Sequence, residues 1–438
     1  MTETKGSPFI SPGLQRVATQ AKEHPERVFT TLAHHIDLPL MREAFRRTRK
    51  DGAVGVDGVT AAEYERKLEA NLLSLLDRAK SGNYRAPPVR RVHIPKGDGR
   101  TRPLGIPTFE DKVLQRAVVM VLESLYEQDF LPCSFGFRPG HSAHGALSTL
   151  REGLMGLDGG YVLEADIRDC FGTLAHHHLR EILGQRMRDG VLTRLIGKWL
   201  NAGALEAGSI LRPEAGTPQG GVISPLLANV YLHTVLDVWF ETTVKPLLRG
   251  RAILVRYADD FVIVFEHRDD ADRVNAVLPQ RFAKYGLTLH PEKTKLLAFE
   301  RPRPGVGSPR PATFDFLGFT HLWQRSLRGY WVVKQRTAAK RYRRAIRAVS
   351  DWCRLNRHLP IDEQQATLGR KLQGHCGYYG ITGNSAALVR FRRAMLWVWR
   401  KWLMRRSAAR RPFAWWLAFC AAHPLPPAYA VHSILRPQ

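Results

Sequence analysis

The chain has 438 residues with 66 Lys and Arg against 40 Asp and Glu, a formal net charge of +26, and 44% hydrophobic residues. That is enough for two or three domains with a sizeable core, and the excess of cations calls for a polyanionic partner, nucleic acid first. No run approaches the roughly 20 apolar residues of a membrane span, and Met1–Leu40 lacks a secretory succession, so a cytoplasmic protein with no membrane partner is expected.

In chain order, residues 1–35 show no clear period and read as an N-terminal arm. MREAFRRTRKDGAVGVDGVT (41–60) reads as a basic helix and a glycine-punctuated loop, and AAEYERKLEANLLSLLDRAKSG (61–82) as one amphipathic helix stopped by glycine. VRRVHIPKGDGRTRPLGIP (89–107) has the form of a hairpin turning at Gly97-Asp98-Gly99, followed by a helix over 111–128. YVLEADIRDCF (161–171) and AILVRYADDFVIVF (252–265) are the strongest strand candidates, with helical patterns between them. Strands far apart with helices between them indicate an α+β fold.

The Pro-, Gly- and Arg-rich stretch 301–312 is a loop or hinge. Beyond it, residues 335–412 hold 19 Lys and Arg against three acids, Asp351, Asp362 and Glu363. This half is helical and basic. Its interleaved Trp352, Trp397, Trp399 and Trp402 read as core, because Trp at helical spacing mostly packs inside. The five cysteines (Cys133, Cys170, Cys353, Cys376, Cys420) are scattered without a C-x-x-C pair and read as reduced thiols. The consecutive His176, His177 and His178 cannot all face one metal from a regular element, and His34 and His35 do no better.

Asp259 and Asp260 stand side by side between runs that look like the inside of a sheet. Two such carboxylates repel each other and lose hydration, and they stay ionised only against strong positive charge. A hairpin with the pair at its tip, joined by Asp166 from the other strand candidate, would present three carboxylates able to hold two Mg²⁺ ions for nucleotidyl transfer. The alternative makes Asp259 and Asp260 ordinary turn residues and Asp166 an exposed strand-end acid.

Other blocks separate the two. RPLGIPTFEDKVLQRAV (102–118), SFGFRPGHSAHGAL (134–147), EADIRDCF (164–171), GTPQGGVISPLLANVYL (216–232), RYADDFVI (256–263), GLTLHPEKTK (286–295) and FDFLGF (314–319) come in the order of the reverse transcriptases of group II introns, which the chain resembles from about residue 40 to 433. The resemblance implies a right-hand polymerase: fingers and palm with an antiparallel sheet over 36–330, an all-helical thumb or maturase domain over 331–406, and a basic, DNA-binding-like tail over 407–438. It implies an RNA-directed DNA polymerase that extends a DNA primer or target with dNTPs on an intron RNA template, assists splicing and mobility, and works in a bacterial-type cytoplasm, at the nucleoid during insertion. No endonuclease domain is expected, since no paired cysteines follow the basic region.

The same resemblance assigns catalysis to Asp166, Asp259 and Asp260, adds Ile167 to the metal site, and places triphosphate-binding cations at Lys96 and Arg102, either side of the Gly-Asp-Gly turn. Phe171 falls at the steric-gate position, where a ring under the sugar rejects a 2′-hydroxyl. Many relatives follow this Phe with Asp; this chain has Gly172. In the GTPQGG loop, Gly216, Pro218, Gly220 and Gly221 form turns, the glycines let the backbone approach a base pair closely and Gln219 can bond nucleotide or template, with Ser224 as N-cap and Pro225 as first residue of the next helix. Other roles compatible with these residues are a splicing cofactor with secondary polymerase activity, and a related enzyme recruited to host repair or defence.

Overall fold

The apolar runs around the three aspartates become the centre of a four-stranded antiparallel sheet. In the computed structural model, which describes residues 11–95, 101–206, 209–211, 220–302, 312–406 and 411–433, the strands are β1 (Val89–Pro95), β2 (Thr101–Ile106), β3 (Tyr161–Asp166), β4 (Ala204–Glu206), β5 (Ser209–Leu211), β6 (Ala252–Tyr257), β7 (Asp260–Phe265), β8 (Lys295–Ala298), β9 (Phe314–Phe316), β10 (Phe319–Arg325) and β11 (Trp331–Thr337). The central sheet has the order β6-β7-β3-β8. The architecture is α+β.

Beyond Asp260, strand β7 is apolar because both of its faces are covered. Phe261, Ile263 and Phe265 point into the largest core, where Phe261 stacks on Phe282 of the helix Arg268–Lys284 with parallel rings 5.9 Å apart. The alternating Val262 and Val264 face a second core with Val162, Val255, Leu147 and Leu150 of the helix Ala143–Gly156, and Phe314, Phe316 and Trp323 of the β11-β10-β9 sheet. Period 2 along the strand thus feeds two cores at once.

The β1–β2 hairpin is antiparallel in the register Pro95↔Thr101, as its sequence suggests, and β1 continues through a parallel pairing with β4 into a second four-stranded sheet. Its glycine turn and Lys96 lie outside the described residues. The helix expected over 111–128 runs Phe109–Tyr126, capped by the Thr108 hydroxyl, which accepts from the Asp111 amide.

Three elements differ from expectation. Strand β3 ends at Asp166, and Cys170–Thr173 turns into a short helix. The helix over 61–82 is two helices, Ala61–Glu65 and Leu68–Ser81: the Asn71 side chain donates to the Tyr64 carbonyl at 2.8 Å and ends the first. In the N-terminal segment, Pro12–Glu23 is a helix, begun by the Ser11 side chain, that buries Leu14, Val17 and Ala21 in the main core. Packing of one narrow stripe stabilises it where propensity alone would not.

The C-terminal part has a third core of its own. The helices Ala339–Leu355, Ile361–Tyr379, Ser385–Leu403 and Phe413–Ala422 bury Val349, Leu372, Phe391, Met395, Trp399 and Trp416 together. All five cysteines are free thiols and four are buried. Among the described residues, no helix is long and apolar enough to cross a membrane.

His321 on β10 is fully buried and stacked on Phe314 at 4.7 Å, with neither ring nitrogen hydrogen-bonded. Burial lowers its pKa to about 3, and burial holds His375 at about 4. Below the ordinary pKa of 6.5 the unfolded chain takes up protons that the native state refuses, so each group makes stability fall by up to about 1.4 kcal/mol per pH unit as acidity rises toward its native pKa. We expect His321→Phe to narrow the gap between the urea midpoints at pH 7 and pH 4.5; an unchanged gap would show that His321 is not buried neutral.

Candidate active site

A hairpin with Tyr257 opposite Asp260 leaves Ala258 and Asp259 as a two-residue turn. Such turns require positive φ, and Ala258 adopts φ +58, unusual for a residue with a Cβ. The surroundings hold it there. Gly136 lies so close beneath the turn that a Cβ on it would stand 2.4 Å from the Ala258 amide nitrogen. The Arg256 guanidinium donates to the Ala258 carbonyl at 3.0 Å.

Arg256 itself is completely buried, and all five of its N–H donors are used. Two go to the Asp237 carboxylate at 2.7 and 2.6 Å, one to Asn229 at 2.9 Å, one to the Ser134 hydroxyl at 2.7 Å and one to Ala258. Asn229 passes the network on by donating to the Gly136 carbonyl at 2.7 Å. Asp237 sits in a π-helical turn, His233–Val238, that continues the helix Ser224–Leu232. Strand, helix and the 133–136 segment are therefore locked around one ion pair, which also gains backbone bonds from Phe135 to Arg256 and from Arg256 to Cys133.

The hairpin delivers its acids to the end of β3, where Asp166 lies directly across from Asp260. The two side chains hydrogen-bond to one another. Asp260 keeps access to solvent at the open end of the sheet, but protein crowds its other sides, and its pKa is raised well above the carboxylate range by that crowding, by the bond to Asp166 and by the charges of Asp259 and Asp166. Asp259 is raised too, first by burial and then by Asp166, while Arg102 and Lys293 pull the other way. Glu164, two residues before Asp166 on β3, is pushed up to about 7 by burial and by Asp315.

Lys293 forms an ion pair with Asp166. Among the described residues no three His, Cys, Asp or Glu side chains surround a single point as a metal cage; the carboxyls are turned to Lys293 and to each other. Their chemistry nonetheless fits a divalent cation: three carboxylates at one sheet end, two of them with pKa values raised first by burial and then by neighbouring carboxylates.

Comparison with known proteins decides the family. Residues 94–321 match the family described as reverse transcriptase (RNA-dependent DNA polymerase). The chain belongs to the reverse transcriptase family. Protein YkfC of Escherichia coli K12 is 35% identical over 290 residues, 58% of this chain and 76% of that protein. The group II intron-encoded protein LtrA of Lactococcus lactis is 36% identical over 222 residues, 50% of this chain but 37% of LtrA. Nuclear intron maturase 2, mitochondrial, of Arabidopsis thaliana is 28% identical over 231 residues, 44% of this chain and 30% of that one. This reverse transcriptase is of the group II intron type, and it spans little over a third of LtrA's length.

The reverse transcriptase places its other expected residues as follows. Phe171 is buried in the short helix immediately after β3. Ile167 is buried and bridged to Leu289, and the two hydrogen bonds of that bridge, His290 N–H to the Asp166 carbonyl and Arg168 N–H to the Thr288 carbonyl, use its neighbours. Arg102 stands on β2 within electrostatic reach of Asp259. Gln219, Gly216 and Pro218 lie, with Lys96, outside the described residues. Gly220 has φ +114, and a Cβ on it would come within 2.4 Å of the Gly105 carbonyl on β2.

Ser224 is the first helical residue and not the N-cap. Ile223 occupies the cap without a side-chain bond, and the Gln115 side chain does the capping from another helix by accepting from the Val222 and Ile223 amides at 2.8 and 3.3 Å. At Gly172 the structure supplies the reason for glycine. Asp169, left-handed at φ +47, lays its carboxylate against this residue, and a Cβ at 172 would meet it at 2.3 Å. A carboxylate thus lies against Gly172, from three residues earlier in the chain.

Sequence reasoning missed Lys293, Glu164, Gln115 and the whole Arg256 network. The available signals were an arginine inside an apolar strand and an aspartate inside an apolar helix. Removing one partner of a buried ion pair leaves the other uncompensated at a cost of about 3–5 kcal/mol. We expect Arg256→Met to lose that much in urea unfolding and Arg256→Met with Asp237→Leu to recover part of it; equal losses in the single and double variants would mean the pair does not act as a unit.

Proposed function

We propose that this reverse transcriptase extends a DNA primer on an RNA template with dNTPs, using two Mg²⁺ ions held by Asp166, Asp259, Asp260 and the Ile167 backbone. The observation that carries the proposal is the direct opposition of Asp166 and Asp260 with Asp259 in the adjoining turn. Divalent cations bound there supply activation of the primer hydroxyl and neutralisation of the leaving phosphate. The protein's own part is positional and electrostatic. The three carboxylates fix the cation site relative to the sheet, and Lys293 keeps Asp166 paired and oriented.

Arg102, with Lys96, grips the triphosphate as a charge-assisted donor. Phe171 closes the space under the sugar against a 2′-hydroxyl, supported by the tight Asp169–Gly172 turn. Gln219 and the glycines around it are assigned to contact with the nascent pair by their place in the motif. In this reading residues 36–330 are fingers and palm, 331–406 the thumb or maturase domain and 407–438 a DNA-binding tail.

The same chain, we infer, binds intron RNA to assist splicing and mobility, and acts at the nucleoid during insertion. Support comes from relatives named as intron-encoded protein and intron maturase, and from the 19 Lys and Arg against three acids over residues 335–412. Each phosphate so neutralised releases counterions, which makes affinity fall steeply with salt.

Asp259→Ala is expected to abolish Mg²⁺-dependent primer extension on an RNA template while leaving RNA affinity within about twofold, because binding draws on the many cations of the C-terminal helices. Retained cDNA synthesis in that variant would refute the site.

A further inference from the structure

Helix Ser385–Leu403 turns Leu388, Phe391, Met395, Trp399 and Trp402 into the third core. The opposite stripe, Val389, Arg393, Trp397 and Arg400, repeats at helical spacing along the outside. The buried tryptophans behave as core residues do: the Trp399 indole donates to Gln364 at 3.0 Å and the Trp402 indole to Ser350 at 3.1 Å. Trp397 departs from the expectation that these rings are core. It is 45% exposed and stacks on Phe413, itself 49% exposed, with ring centroids 6.0 Å apart and planes 17° from parallel.

Beside them the Arg400 guanidinium lies 5.6 Å from the Trp397 ring and 5.3 Å from the Phe413 ring. Its Nε is shielded from water and has no hydrogen-bond partner. Leu417, one turn beyond Phe413, is exposed as well. Contiguous exposed aromatic surface of this kind marks an interaction site. Charge identifies the partner: no Asp or Glu follows Glu363, whereas twelve Lys and Arg do. A second copy of so cationic a surface would be repelled, and a polyanion is drawn in.

We propose that Trp397 and Phe413, with Arg393 and Arg400, form a stacking platform for an unpaired base of single-stranded RNA. The base extends the existing two-ring stack and the arginines take the flanking phosphates. A duplex cannot use the platform, since its base faces are already stacked. Stacking of this kind tolerates any base. The inference deepens the RNA-binding reading above and rests on it.

The test uses the full chain, a labelled twelve-nucleotide oligo(U), and an RNA duplex of equal length, read by fluorescence anisotropy. Trp397→Ala should weaken oligo(U) binding by about 5- to 100-fold, Trp397→Phe by no more than about threefold, and neither should change duplex affinity or extension of a pre-annealed primer. Wild-type oligo(U) affinity in Trp397→Ala would overturn the proposal, and so would an equal loss on the duplex. A change in sedimentation with RNA affinity intact would also overturn it, by making the patch a contact between copies. If the unaltered chain fails to extend primers, the polymerase reading fails and the stacking result stands by itself.

Discussion

The structure turns on one buried ion pair. Arg256 and Asp237 are both fully buried, and taking two charges out of water is costly enough that such pairs are weak contributors to net stability. What the pair contributes here is position. With every guanidinium N–H committed, Arg256 has one geometry, and that geometry holds Ala258 in a left-handed turn that its own side chain disfavours. The turn places Asp259, and the register it closes places Asp260 across from Asp166. Strain at the hairpin tip is stabilised from below by Gly136, Asn229 and Ser134.

Electrostatically the chain is divided. The open end of the central sheet gathers Asp166, Asp259, Asp260 and Glu164, with Lys293 paired to Asp166, and burial and like charge hold Asp259, Asp260 and Glu164 above the ordinary carboxylate range. The C-terminal helices carry the opposite imbalance, with cations and hardly any acids. A polyanionic strand is attracted by the second region, while the first repels it unless cations intervene. One fold thus combines a crowded cluster of carboxylates with a strongly cationic helical surface.

Much of this was legible in the sequence, for identifiable reasons. Asp166, Asp259 and Asp260 interrupt apolar period-2 runs, and charges in such runs stand out whatever the fold. The β1–β2 hairpin was written in its glycines, and the basic helices in composition. What could not be read depends on contacts between distant residues. Asp237 and Lys293 look like helix and loop charges until the chain brings them to Arg256 and Asp166. Gly136 shows its purpose only when the hairpin lies against it, and Gly172 only with Asp169 folded over it. The break after Glu65 needed Asn71 to take a carbonyl, and Trp397 shares its helical spacing with Trp399 and Trp402 yet lies on the outer face. Periodicity identifies a helix but does not say which of several large rings is left outside.

The most direct test of convergence is to replace Mg²⁺ with Fe²⁺ and map, by mass spectrometry, where locally generated hydroxyl radicals cut or oxidise the backbone. If the two strand ends cradle the same cation, damage falls on both the segment around Asp166 and the segment around Asp259–Asp260, and added Mg²⁺ suppresses both together. Damage at one segment without the other, or spread through the basic helices and indifferent to Mg²⁺, would contradict the account.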